Sequence, residues 1–133
     1  MANYTASARS NQFEVKDPEA LHRELADLDI DVISDDPENP QHVVLLCHSD
    51  NGCWPSWRYD EQAEDDIEVD IAALIAAHLT PGQVAVLIES GAEKLRFIGG
   101  NAVAVNSRGE QVDVSLEEIY ERAKRLGDHI DRI

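Results

Sequence analysis

Lysine and arginine are scarce in this chain: 11 stand against 27 aspartates and glutamates, a net charge of −16 over 133 residues. A chain so acidic speaks against nucleic acid and anionic membranes as direct ligands, and for a basic partner. No run of 18 apolar residues occurs, so no membrane-spanning helix is expected. The start, MANYTASARSNQ, has no apolar core of the signal-peptide kind. Only two cysteines are present, Cys47 and Cys53. With no export signal they read as reduced thiols of a cytoplasmic protein.

The motifs of common chemistry are missing as well. Cys47, His48 and Cys53 fall together in CHSDNGC, but C-x5-C with one adjacent histidine is not a zinc-site spacing and no second ligand pair follows. Cys47 ends an apolar stretch and reads as a structural thiol. The five histidines (22, 42, 48, 78 and 129) are scattered, as surface or packing residues are. GAEKLRFIGG lacks the G-x-G-x-x-G order of a phosphate cradle, and Gly91, Gly99 and Gly100 fit hairpin turns better. The acids from Asp60 to Asp70 lack the order of a calcium-binding EF-hand loop. No carboxylate stands isolated in apolar surroundings as acid–base catalysis would want. No enzyme, metal or cofactor is therefore expected.

What the chain does have is a core. Hydrophobic residues make up 43% of it, too many for a disordered acidic tail and enough for one folded domain. Residues 1–11 read as a loose or extended N-terminal arm, and 12–133 as a single domain. QFEVKD reads as a short strand that runs into a helix start at Asp17, Pro18 and Glu19, followed by Leu21, Leu25 and Leu28 at helical spacing. DIDVIS alternates like a half-buried strand, DDPENP is a turn, and HVVLLC has the character of a central strand. Residues 49–66 read as a long polar loop, and IAALIAAHL as a helix stopped by TPG. Strands then follow at QVAVLIES, KLRFIG, AVAVNS and VDVS. Ser115 and Glu118 form a capping box for a last helix with Ile119, Tyr120, Ala123 and Leu126 on one side. Short turns between strands imply antiparallel pairing. The expected fold is α+β: one antiparallel sheet of four to six strands with about three helices packed on it.

The charge is unevenly distributed. Residues 1–90 hold 19 acids and 4 bases, a net of −15; residues 91–133 hold 8 acids and 7 bases, a net of −1. A surface adapted to high salt would be acidic throughout, so the asymmetry suggests a binding face. Its densest part is SWRYDEQAEDDIEVD, with seven carboxylates from Asp60 to Asp70 and no lysine or arginine among them. In DDIEVDI the acids Asp66, Glu68 and Asp70 alternate with apolar residues. An extended segment would set these carboxylates roughly 6.5–7 Å apart, and Asp29 and Asp31 repeat the pattern around Ile30. Successive phosphates on one nucleic-acid strand are spaced on a similar scale, so a basic groove that follows a backbone would accept such a row. Trp54, Trp57, Arg58 and Tyr59 stand beside the run, and these residue types dominate interface hot spots. The candidate partner-binding residues are Asp29, Asp31, Asp35, Asp36, Trp54, Trp57, Tyr59, Asp60, Glu61, Glu64, Asp65, Asp66, Glu68 and Asp70.

Three stretches, MANYTASARSNQFEVKD, GCWPSWRYDE and GAEKLRFIGGNAVAVNSRGEQVDVSLEEIYERA, resemble a family of small acidic, mostly uncharacterised proteins of plasmids, integrative elements and phages. The sequence departs from that pattern at CWPSW, where a plainer glycine precedes the tryptophan, and at IGGN, where an aromatic is expected near Asn101. The resemblance implies a mobile-element setting and brings no catalytic residues. By analogy of setting, it points to inhibitors of host defence, such as anti-CRISPR or antirestriction proteins that mimic DNA. The functional expectation is an inhibitor whose carboxylate surface occupies a basic, nucleic-acid-binding host complex. The alternative is an accessory module that binds another element-encoded protein.

Overall fold

A computed structural model describes residues 4–34 and 36–131. The described elements are β1 (Thr5–Ser10), β2 (Phe13–Glu14), α1 (Pro18–Leu25), β3 (Ile30–Ile33), β4 (His42–Cys47), β5 (Trp57–Asp60), β6 (Asp65–Glu68), α2 (Ile71–Ala76), β7 (Val84–Glu93), β8 (Phe97–Asn106), β9 (Gln111–Ser115) and α3 (Glu118–Ala123). Seven strands form one antiparallel sheet in the order β2-β4-β1-β7-β8-β9, with β3 also paired to β4; β5 and β6 make a separate hairpin. The α+β domain is as expected, with a larger sheet than four to six strands. No helix among the described residues is long and apolar enough to cross a membrane.

The additional strand is β1, in the segment that reads as an N-terminal arm. It lies inside the sheet, pairing with β7 from Thr5↔Ala92 to Ser10↔Leu87 and with β4 at Arg9↔Leu46. Small residues with weak strand propensity hide it in the sequence. Its buried Ser10 hydroxyl donates to the Asn11 carbonyl (2.7 Å) and accepts from the Leu45 N–H (2.8 Å), so the polar group is satisfied.

Gly91, Gly99 and Gly100 are not turn residues. They sit inside β7 and β8, where Gly91 faces Gly99. A Cβ on Gly91 would lie 2.3 Å from the Thr5 carbonyl oxygen and 2.6 Å from Ala6 Cα. Glycine is therefore what lets β7 lie close against β1. KLRFIG and AVAVNS accordingly belong largely to one ten-residue strand, and the β7–β8 turn is made at 94–96, with Lys94 at φ 50°.

The registers assign the sheet two faces. On one lie Val43, Leu45, Ala85, Leu87 and Val105, all buried under α1 and α2. Helix α1 starts as its sequence signals: the Asp17 carboxylate accepts from the Glu19 N–H (3.1 Å), and Leu21, Leu25 and Leu28 are buried. Helix α2 adds Ile71, Ala72, Ile75 and Ala76 to the same core. Burying one such leucine or isoleucine contributes about 1.5–3 kcal/mol. Helix α3 does not join this layer. None of its residues is buried, and Ile119 and Leu126 face solvent. Among the described residues, no helix lies on the other face of the sheet.

Candidate partner-binding surface

The long loop expected at 49–66 contains a hairpin. Strand β5 pairs with β6 in the register Trp57↔Glu68, Arg58↔Ile67, Tyr59↔Asp66 and Asp60↔Asp65. The Val69 N–H continues the ladder to the Ser56 carbonyl (2.8 Å). At the turn, the Asp60 carboxylate accepts from the Gln62 N–H (2.9 Å), and Glu64 closes the loop at a left-handed φ of 54°.

Directly opposed residues of an antiparallel pair share a face. One face of the hairpin therefore carries Trp57 and Tyr59 beside Glu68 and Asp66. The two rings are 59% and 60% exposed. The other face carries Arg58, Ile67, Asp60 and Asp65. Its one cation turns toward the body of the protein: the Arg58 guanidinium donates to both carboxylate oxygens of Asp27 (3.0 and 3.1 Å) and to the Glu24 carbonyl. The Glu24 carboxylate stands 3.6 Å from it. Arg58 thus clamps the hairpin to the end of α1 and to the 3-10 turn that follows, Ala26–Leu28.

Its charge is consumed there. Among the described residues, no lysine, arginine or histidine forms an ion pair with any of Asp60, Glu61, Glu64, Asp65, Asp66, Glu68 or Asp70. Six of these seven carboxylates are exposed, and Asp60 is half-buried. Asp60 directly opposes Asp65, a like-charge pairing that works against the hairpin's own stability.

Other candidates take structural positions. Asp70 lies beyond β6, so the expected row of three carboxylates narrows to Asp66 and Glu68. Asp70 instead caps α2, accepting from the Ala73 N–H (3.2 Å), and lies 3.5 Å from the Gln111 side-chain amide. Asp29 is not part of β3: it ends the 3-10 turn in the left-handed region (φ 59°) and breaks the expected alternation with Asp31. Asp31 lies on β3 and pairs with His48 (3.3 Å). Asp36 holds its own turn together, accepting from the Glu38 N–H and the Asn39 amide, each at 3.0 Å. The Asn39 bond, and then the Glu38 bond, hold its carboxyl below the usual value. Asp35 lies outside the described residues.

Trp54 separates from Trp57. It packs partly buried against the core, its backbone N–H donating to the Glu89 carboxylate (2.9 Å) and its indole to the Ile88 carbonyl (3.3 Å). It fixes the loop to the sheet. Glu89 escapes the sequence reading, and Arg58, read there as a hot-spot residue type, is an inward clamp instead; a lone arginine in an acidic stretch is the signal for it.

Cys53 lies in this loop and Cys47 ends β4 beside it. Cys47 donates to the Cys53 carbonyl (3.2 Å). Burial first, then the charges of Glu89 and Cys47 and a hydrogen bond to Glu89, push the Cys53 thiol above its ordinary value. That keeps it protonated, the opposite of activating a nucleophile. Among the described residues no three His, Cys, Asp or Glu side chains are grouped to hold a metal ion.

Compared with protein-family models, with curated proteins and with solved structures, the chain matches none of them.

Proposed function

We propose that this protein is a non-enzymatic inhibitor whose acidic hairpin occupies the nucleic-acid groove of a basic host defence complex, of the CRISPR or restriction kind. The observation that carries the reading is the β5–β6 hairpin: exposed carboxylates with no cationic partner among the described residues, flanked by two exposed aromatics, on a support clamped by an inward-facing arginine. Asp66 and Glu68 alternate along a strand at roughly 6.5–7 Å, a spacing that suits lysines and arginines placed to follow a phosphate backbone. Trp57 and Tyr59 beside them offer ring faces to the same cations. The mobile-element setting rests on the three sequence stretches alone, and the proposed cytoplasmic location on the reading of Cys47 and Cys53 as reduced thiols.

Electrostatic steering would make association fast and sensitive to salt. The test is capture of partners from the natural host's lysate on the tagged protein, with elution in a salt gradient. A nucleic-acid-binding complex released between about 0.2 and 0.6 M salt, where screening shortens the Debye length to a few ångströms, is the expected result. Its DNA or RNA binding should be blocked by the added protein. The two exposed aromatics also favour a second reading, an accessory module that grips an element-encoded protein through apolar contacts. A partner retained through the whole gradient would select that reading.

A further inference from the structure

The helix-free face of the sheet is the largest feature the acidic hairpin does not explain. Along β7, β8 and β9 the registers place Val84, Ile88, Ile98, Val112 and Val114 on this side, and no charged residue among them. Leu116 continues the row, its N–H bonded to the Gly100 carbonyl (2.9 Å). Val112 is 73% and Ile98 64% exposed. On the remaining strands the same side carries Arg9, Glu14 and Asp31 as its only charges, and Asp31 is paired to His48.

The geometry points to a second copy of this chain as the occupant of that face. Electrostatics select it over a basic partner. Copies carrying −16 repel wherever their acids meet, and the outward side chains of β7–β9 carry no charge; the adjoining acids are already engaged, Glu110 by Arg108 and Glu89 by the Trp54 N–H, which leaves a cationic partner little to bind. The relief is self-complementary. Strand β8 presents Ala102 and Ala104 as a shallow trough between the ridges of Val112–Val114 and Val84–Ile88, closed at Gly100 by the Leu116 side chain. In a two-fold arrangement the ridge of each copy enters the trough of the other, and two sheets stack about 10 Å apart, as in a β-sandwich. The size fits as well. The seven strands hold 43 residues; at about 3.3 Å per residue and about 4.8 Å between strands the whole face covers about 700 Å², somewhat more than half of it on β7–β9, against the ~800 Å² each partner contributes to a standard stable interface.

Sedimentation velocity of the full chain, from about 0.1 to 100 µM at 0.15 and 1 M salt, tests the assignment. The expected result is a dimer that high salt leaves intact or tightens, because apolar contacts hold it and screening removes repulsion. Val112→Lys with Val114→Lys should raise the dimer dissociation constant at least tenfold and leave the circular dichroism of the monomer unchanged. If that variant fails to fold, Ile98→Lys and Leu116→Lys put the same question from two other exposed positions. A wild-type monomer at every concentration, or a dimer indifferent to these substitutions, overturns the assignment.

Discussion

Replacing Arg58 by methionine keeps much of the side chain's length and removes the fork that ties the acidic hairpin to the body. The magnitude follows from where the two partners lie. The Arg58 side chain is 21% exposed, and it also donates to a backbone carbonyl, which points toward the 1.5–3 kcal/mol of a charge-assisted hydrogen bond. The Asp27 side chain is 56% exposed and can regain water when its partner leaves, which points toward the ~0.2–1 kcal/mol of a surface ion pair. Between these, the clamp is worth about 1–2 kcal/mol. An isolated two-stranded hairpin is marginal in water, so the loss should appear as local opening, by a factor of roughly 5–30. Native-state hydrogen exchange reads it: amides of 57–60 and 65–69 should exchange faster by that factor, while those of β7 and β8 keep their protection. Arg58→Lys should restore little, since an ammonium cannot form the two parallel bonds. Unchanged exchange in the hairpin would refute the clamp and assign its docking to Val69, which packs partly buried against the core.

Gly91→Ala should cost about 1–3 kcal/mol, because its Cβ meets the Thr5 carbonyl and Ala6 Cα, and so lower Tm by several degrees in calorimetry. A drop no larger than that of an exposed control would show that β1 has room to shift. Leu25→Ala, in the fully buried row of α1, should cost about 2–5 kcal/mol in urea unfolding; a loss below 1 kcal/mol would mean that the helix layer is loosely packed. The Cys53 thiol gives a pH dependence of known sign. Its folded value is raised, so from about pH 8.5 upward the unfolded chain releases a proton that the native state still holds, and stability falls as pH rises through the folded value. Tyr4, raised chiefly by burial and then by Glu89, adds a fall of the same sign at higher pH. Cys53→Ser should therefore flatten the alkaline decline of the urea midpoint without abolishing it, and parallel declines in both proteins would contradict this.

The elements with strong local chemistry were legible in the sequence: the Asp17–Pro18 helix start, the leucine row of α1, the apolar strand β4 and the α2 segment. Each announces itself through a cap, a period or a continuous apolar run. The β1 strand was not legible as part of the sheet, because Ala6, Ala8 and Ser10 on its inward side are small, Ala6 lying close against Gly52 and Gly91, and give too weak an apolar alternation to mark a strand. Gly99 and Gly100 misled for a related reason: glycine marks turns and close approaches alike, and only the neighbouring elements tell them apart. The site divided the same way. Periodicity located the hairpin's acids, but whether an aspartate caps a helix, closes a turn or faces solvent depends on backbone geometry. Asp70, Asp36 and Asp29 thus went to structure while Asp66 and Glu68 stayed at the surface. The open sheet face was invisible, since an alternating strand looks the same whether or not its apolar side is covered.

The central claim, that the hairpin's carboxylates bind a nucleic-acid-binding partner, is tested most directly by reversing Asp65, Asp66 and Glu68 to lysine and leaving Asp70 to cap α2. Three reversals of two charges each move the net charge from −16 to −10 at positions exposed to solvent. Wild type and variant are compared side by side in capture from host lysate, with circular dichroism to confirm the fold. Loss of the salt-sensitive complex by the folded variant is the predicted result. Retention of the same complex, released at the same salt, would contradict the account.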